Sequence, residues 1–495
     1  MGRIIRLAVV VVWVSLLVVL GTRVYAPGGA TVLVPEKIDA VSPVREEWLG
    51  AYFKGNKIGY ITTRTERIGE IIHIKQTGEL RLSLLGQARR VEYELSAYNG
   101  ADYRLRSFSF RLKSEFSDIE ASGEVRGRRM LLSLVSGGET RKHVVEMADV
   151  PYIAAGLKPV LANQPLAPGK KFRFHVFEPP PTFQTVPMEI EVEGMDGVKI
   201  GGTVTTAYRL KTTYHGLILR AWIDENGNTL KEESPSGYTL IRESRQAAMT
   251  FPEGAPVFDL LALSSVPVAG LIPDKGVVDS LTLRVSGIDP SIYPDMNGGR
   301  QAVEGNDVVI RREDPRAIPS YPLPYRGREW ADDLKPDPFV QADHPKIRAQ
   351  AEKIMAGETD ALKAAERIAS WVHLNVRKEP VVSIPSAIEV LENRVGDCNE
   401  HTILYAALAR SAGIPTRISA GVVRVLTRFY YHAWPEVYVG SWMAVDPTLG
   451  QFPADATHLR LIQGGLDKQA PIIAAIGSLR LEVKGVRMSG LEAAR

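Results

Sequence analysis

At 495 residues the chain is long enough for two to four domains with substantial cores. Apolar residues make up 45% and charged residues 24%, ordinary values for a folded protein, so wholesale disorder is excluded. A formal charge of +3 is too weak a bias for a nucleic-acid partner, and a single cysteine excludes an internal disulfide and a multi-thiolate zinc site.

Residues 1–26 differ from the rest. Arg3 and Arg6 precede an uncharged run from Leu7 to Thr22, closed by Arg23. As a helix this run spans about 24 Å, short of the ~30 Å hydrocarbon core, and flanking arginines can narrow the gap by reaching to the interface. Two readings are open. A retained signal-anchor, one transmembrane helix, is favoured by the long valine-rich run; a cleaved signal peptide is offered by Val24-Tyr25-Ala26. Both put the remaining chain outside the cytoplasm, because positive flanks stay inside. The expectation is a membrane-anchored, extracytoplasmic protein, periplasmic or at the cell surface.

From Trp48 to Arg245 the apolar residues alternate. Val91, Tyr93, Leu95 and Ala97 do so with Glu92, Glu94 and Ser96; Phe172, Phe174 and Val176 with Lys171, Arg173 and His175; Met188, Ile190 and Val192 with Glu189, Glu191 and Glu193. One apolar and one polar face per strand predicts an antiparallel β domain over 40–250, possible as a curled or barrel-like sheet. A phase shift near Leu105–Phe110 predicts a bulge, and Asp196-Gly197 and Asn226-Gly227 predict hairpin turns. Glu178-Pro179-Pro180-Pro181 reads as a loop or spacer. His73, His143, His175 and His215 are scattered, and no chemistry is visible in this half. Its expected role is at most to bind an apolar ligand or a cell-envelope protein partner.

A smaller β segment follows over 251–313, with Leu281, Leu283 and Val285 alternating with Thr282, Arg284 and Ser286. Residues 314–339 hold six prolines, which forbid helix interiors and central strands, so this stretch reads as a linker or an extended wrap over a neighbouring domain. The period then changes to 3.6 and opens a domain over 340–495. Thr359 is the expected cap of a helix carrying Leu362, Ala365, Ala369, Val372 and Val376; Ser386 caps a shorter helix to Leu391. A third helix starts near Cys398, buries Ile403, Leu404, Ala407 and Leu408, and stops at Gly413 and Pro415. Strands are expected at 417–425, 430–439 and 442–445.

The only thiol therefore sits in the first turn of a helix, in Gly396-Asp397-Cys398-Asn399-Glu400-His401. A helix N-terminus lowers a thiol pKa and offers N–H groups to an oxyanion. A thiolate nucleophile needs a base and a group to orient that base, and His432 and Asp446 lie downstream on expected strands. A two-residue turn at Gly440-Ser441 would set Asp446 opposite Pro435, about 10 Å along the strand from His432, a gap that a bulge or another strand order must close. A metal site of Cys398, His401 and His432 is conceivable, but no further ligand set is obvious.

These blocks resemble the transglutaminase-like superfamily of papain-fold thiol enzymes. The resemblance runs from Ala361 to His458. It rests on Ala387, Leu391 and Gly396-Asp397-Cys398; on Leu404, Ala407-Leu408, Arg410, Gly413-Ile414-Pro415 and Arg417; and on His432-Ala433-Trp434, Glu436-Val437-Tyr438, Trp442 and Asp446-Pro447-Thr448. Thr416 stands where the family often has alanine. The resemblance implies an α+β papain/transglutaminase-like C-terminal domain behind an all-β N-terminal one, in a bacterial-type membrane-anchored member. It implies Cys398 as nucleophile, His432 as base and acid, and Asp446 as orienting carboxylate, with no cofactor or metal, since no acidic loop for calcium is visible. The expected activity is that of a cysteine protease or amidase on a protein or peptide substrate. The alternatives are a protein-glutamine acyl transferase and a non-catalytic envelope scaffold.

Overall fold

The computed structural model describes residues 44–489 except 85–86, 116, 216, 235–236, 252–264, 382 and 476. Among the described residues, fifteen strands between Val44 and Arg242 form one sheet. Two runs of neighbouring strands, Val44–Glu146 and Tyr152–Arg242, join where the strand Val44–Phe53 pairs antiparallel with Tyr238–Arg242. Alternation builds it: along Asp118–Arg126, Ile119, Ala121 and Gly123 are buried while their neighbours are exposed. Register shifts at Ala51/Tyr52, Tyr98/Asn99 and Val192/Gly194 bend the sheet, and the second lies opposite Leu105, where the apolar phase slips. The curled sheet and the short helix Leu157–Ala162 enclose a cavity of about 240 Å³ lined by Leu49, Ile61, Ile190, Leu210 and Leu240.

One expected turn is absent. Asp196-Gly197 lies inside the long strand Thr185–Ile200, because Asp196 is engaged across the sheet by Arg209 Nη1 at 2.8 Å and Trp222 Nε1 at 2.9 Å. The chain reverses instead at Gly201 and Gly202, with φ of +56° and +92°. Asn226-Gly227 does lie in a turn, closed by Asp224 Oδ1 accepting from the Asn226 and Asn228 N–H groups.

The transmembrane assignment needs correction. The run Leu7–Thr22 lies outside the described residues, and among the described residues no helix is long and apolar enough to cross a membrane. The membrane and transmembrane expectations therefore have no structural support.

After the large sheet, the chain interleaves with its own C-terminal part. Ser265–Val266 pairs with the strand Arg428–Tyr438, while Val277–Ser286 pairs with Asp307–Arg311 on one side and with Arg480–Ser489 on the other. Residues 314–339 run as a strap over the helical region. Tyr321 Oη donates to the Tyr438 carbonyl at 2.9 Å, the Leu323 N–H to Thr359 at 2.7 Å, and the Tyr325 N–H to Gly413 at 2.9 Å. Arg417 grips Asp333 through two 3.0 Å hydrogen bonds and lies over the rings of Trp330 and Trp442 at 4.6 and 4.0 Å.

Four helices follow: α1 (Pro345–Met355), α2 (Ala361–Asn375), α3 (Ala387–Asn393) and α4 (Cys398–Ser411). The cap of α2 is Asp360, whose carboxylate accepts from the Lys363 N–H at 2.9 Å, rather than Thr359. The helix α1, which the sequence analysis does not anticipate, starts at His344, whose Nδ1 accepts from the Lys346 N–H. Helix α4 is enclosed by α1, α2 and α3 on one side and by the strands Thr416–Val425 and Arg428–Tyr438 on the other. Residues 400–409 are all buried, and Gly413, at φ +84°, ends the turn beyond it. The two halves meet through Arg141–Asp343 at 3.0 Å, His344–Glu139 at 2.6 Å and a Gly137 N–H bond to Glu389 at 2.9 Å.

The strap depends on Arg417. Arg417→Ala removes a paired, ring-stacked guanidinium and should cost about 1–2 kcal/mol. Limited proteolysis should then cut within 326–339 under conditions where the wild type stays intact; equal resistance would refute the clamp.

Candidate active site

Cys398 is the first residue of α4, and its surroundings follow from how that helix begins. Asp397 caps it, accepting from the Asn399 N–H at 2.8 Å, and Glu400 reaches back to accept from the Asp397 N–H at 2.8 Å. Both carboxyls thus satisfy donors that a helix start leaves open. Gly396 is required by this closure: a Cβ there would lie 2.2 Å from Glu400 Cβ. Thr402 Oγ1 donates to the Ala433 carbonyl at 3.0 Å, which docks the first turn of α4 beside His432. The Ala433 N–H is directed at the Cys398 sulfur.

His432 lies on the strand Arg428–Tyr438, opposite Gly421. Its Nε2 is 2.8 Å from Asp446 Oδ2, which leaves Nδ1 outside that contact. Asp446 is fully buried and also accepts from the Leu449 N–H at 2.9 Å. The expected strand register is off by one. Tyr438 pairs with Trp442 and Glu436 with Ala444, so the turn holds three residues, and continuing the ladder sets Asp446 beside Trp434 instead of Pro435. Side chains alternate, so that single step moves Asp446 from the opposite face to the face that carries His432 and Trp434.

The structure therefore joins His432 to Asp446 and sets Cys398 under the neighbouring Ala433 N–H. His401 does not join them. Its Nδ1 donates to the Asp397 carbonyl at 2.7 Å and its Nε2 faces the Val376 carbonyl at 3.3 Å, so it ties α4 to the preceding loop and offers no metal ligand with Cys398. A residue the sequence analysis passed over does join the group: His458 Nε2 lies 3.0 Å from Asp446 Oδ2. No motif marks it. The only local signal is Asp455-Ala456-Thr457-His458, a turn in which Asp455 Oδ1 accepts from the Thr457 N–H at 2.9 Å.

Three donor atoms, on His432, Asp446 and His458, lie within 4.8 Å of one another. A tetrahedral zinc site with 2.0–2.1 Å bonds sets its donors about 3.3 Å apart. The 2.8 and 3.0 Å contacts to the shared Asp446 oxygen are hydrogen-bond distances, and the group fits a proton-sharing chain better than a ligand set.

Charges in the site are set by burial and partners. Burial alone would raise the Asp446 carboxyl, but His432 and His458 hold it far below the usual carboxylate range. Burial pushes the Cys398 thiol well up, and Asp397 and Glu400 add to this, against a smaller opposing effect from the Ala433 N–H. Desolvation and the two adjacent acids thus oppose the lowering expected from the helix N-terminus. Burial and the Asp397 carboxyl likewise raise Glu400, which favours its protonated form beside its neighbour.

Residues 348–447 match the sequence profile of the Transglutaminase-like superfamily. This part of the chain is a transglutaminase-like core. The transglutaminase-like superfamily is one of thiol enzymes acting on proteins, which gives the coarse class of this domain. No curated protein sequence matches the chain. Among solved structures, a Cytophaga hutchinsonii protein described as a candidate cysteine protease is 16% identical, with a TM-score of 0.29, over 43% of this chain and 85% of its own. A Brucella abortus β-barrel-like protein of a domain of unknown function is 10% identical, with a TM-score of 0.34, over 42% of this chain and 98% of its own. A Pseudomonas aeruginosa protein of another such family is 13% identical, with a TM-score of 0.23, over 42% and 97%.

Two outcomes follow for the transglutaminase-like core. Gly396→Ala should destabilise the fold by about 2 kcal/mol or more, because helix backbone or Glu400 has to shift. Glu400 has its pKa raised on folding, so its stabilising contribution is complete below the unfolded value of 4.5 and is lost as pH rises through the folded value. Glu400→Gln lacks that loss. Its melting temperature, relative to wild type, should climb steadily from about pH 4.5 towards alkaline pH; a constant difference would exclude a protonated Glu400.

Proposed function

We propose that the chain is a Cys–His–Asp thiol hydrolase that cleaves amide or peptide bonds in protein or peptide substrates by papain-type chemistry. The observation that carries this is the His432–Asp446 contact: a fully buried carboxylate holds Nε2 at 2.8 Å and leaves the ring's other nitrogen outside that bond. In this reading His432 Nδ1 takes the Cys398 proton as sulfur attacks the substrate carbonyl carbon. The oxyanion forms near the N–H groups at the start of α4. On collapse the C–N bond breaks, His432 returns its proton to the departing amine, and a thioester remains. His432 then takes a proton from water as the water oxygen attacks the thioester carbon; the C–S bond breaks, His432 returns the proton to sulfur, and acid product and thiol are released. Because burial keeps the resting thiol protonated, His432 acts as a general base at the moment of attack.

Hydrolysis is favoured over transfer to a second amine by what the nearby acids do. Asp397 and Glu400 cap α4, and Glu436 is taken by Arg460 at 2.8 and 2.9 Å, so none is left to receive an acceptor lysine. The charged start and apolar run of residues 1–26 support action outside the cytoplasm, which an alkaline phosphatase fusion after residue 495 tests by its activity.

The full chain incubated with mixed peptides and a primary-amine probe should yield cleaved peptides by mass spectrometry, and Cys398→Ala should abolish them. Asp446→Asn, which leaves His432 free to adopt the wrong tautomer, should lower the rate by roughly 10²–10⁴-fold. Amine incorporation at glutamine, lost in the same cysteine variant, would replace hydrolysis by acyl transfer.

A further inference from the structure

His458 has no role in the mechanism above, yet it is completely enclosed and stands edge-on to the Trp434 indole at 5.1 Å. Its Nε2 lies 3.0 Å from Asp446 Oδ2, the same oxygen that His432 Nε2 meets at 2.8 Å. Its Nδ1 lies 3.2 Å from the Asp455 carbonyl oxygen and 3.3 Å from Asp455 Oδ1. Asp455 in turn receives Thr457 Oγ1 at 2.6 Å and the Thr457 N–H at 2.9 Å, bonds that suit an ionised carboxylate. Each partner of the His458 ring is thus an acceptor. A neutral imidazole carries one N–H and would set its bare nitrogen against an oxygen lone pair. Donation from both nitrogens would satisfy all three oxygens and make the ring a buried imidazolium between two carboxylates, an arrangement that His401, whose two partners are backbone carbonyls, lacks.

We propose that His458 is a positioning residue of the thiol site: a fixed cation that holds Asp446 in line for His432 and sets the pH at which His432 can take the Cys398 proton. The inference rests on the thiol-hydrolase reading. Its physical content is a charge count. The two imidazole rings lie 6.0 Å apart on either side of Asp446. With Asp446 already neutralised by His458, the carboxylate orients His432 without binding its imidazolium so firmly that the proton cannot pass to a leaving amine. The charged groups acting on His458 are Asp446 and Asp455, and Arg300 holds the segment that carries Asp455. The Arg300 guanidinium donates to the carbonyls of Ala454 and Asp455 at 2.9 and 2.8 Å and faces Glu313 at 3.6 Å. Burial by itself would lower the His458 pKa, but Asp446 and Asp455 reverse this and raise it, in agreement with the donor count.

The test uses the full chain with iodoacetamide as probe of its only thiol. In wild type, the alkylation rate of Cys398 should rise with pH to a midpoint that His432→Ala abolishes or displaces. Glutamine can still donate to Asp446 but carries no charge. In His458→Gln the loss of a cation at 6.0 Å should therefore move the midpoint up by about one pH unit. A purely structural role would lower the rate and leave the midpoint in place; a superimposable midpoint in a folded variant overturns the inference. Should that variant fail to fold, ¹⁵N-histidine NMR of the His432→Ala protein decides. At a pH above the ordinary histidine range one ring should keep both nitrogens protonated, and finding every ring neutral overturns the inference. If His432→Ala leaves wild-type alkylation unchanged, the thiol-hydrolase reading itself fails and this inference with it.

Discussion

A carboxylate enclosed on every side is the constraint around which the C-terminal region is organised. An unpaired charge at that depth would cost several kcal/mol, so Asp446 must be surrounded by donors. Three regions of chain supply them: His432 from a long strand, His458 from the position just before the strand Leu459–Gln463, and the Leu449 N–H from the turn after Asp446. Each supplier must in turn be held. Asp455 anchors His458, and Arg300, from the middle of the chain, anchors the carbonyls of Ala454 and Asp455.

The interleaving of residues 265–313 with the thiol domain has its reason here. Gln301 accepts from the Arg460 N–H at 2.6 Å and donates to the Arg460 carbonyl at 3.0 Å; the Arg460 side chain reaches the carbonyls of Asp295 and Gly298 as well as Glu436. The strand Leu459–Gln463, which follows His458 directly, is thereby fixed from both directions. Glu313 adds a bond to the Ala444 N–H, two residues before Asp446. These residues do no chemistry. They remove freedom from the backbone on which the two histidines and the aspartate sit, as a preorganised site needs.

Much of this was legible where the signal is local. Alternation exposes the large sheet because each strand needs only its own two faces, and the 3.6 period exposes α2 and α4 because their stripes are continuous. Asp196-Gly197 misled because turn propensity is a local preference, here overridden by the cross-strand pull of Arg209 and Trp222 on Asp196. The Cys398, His432 and Asp446 blocks could be read from their order, but not the register that sets Asp446 on the His432 face, since one extra residue in a turn reverses it. His458 was out of reach: its meaning comes from two carboxylates, and nothing in its own neighbours announces them. The small β segment was visible, but its partner strand Arg480–Ser489 was not, lying about two hundred residues later.

The chemistry of the lone thiol also sets how this site responds to oxidants. Peroxides attack thiolates far faster than thiols, so the burial and adjacent acids that disfavour the Cys398 thiolate also shield it at rest. In the proposed mechanism that shield lapses whenever His432 withdraws the proton. A sulfenic acid formed then would find no second cysteine in the chain to condense with. Its repair depends on small-molecule or partner thiols from outside, and without them oxidation proceeds to the irreversible sulfinic stage. The same solitude that keeps the sulfur out of unwanted disulfides leaves it without an internal route back.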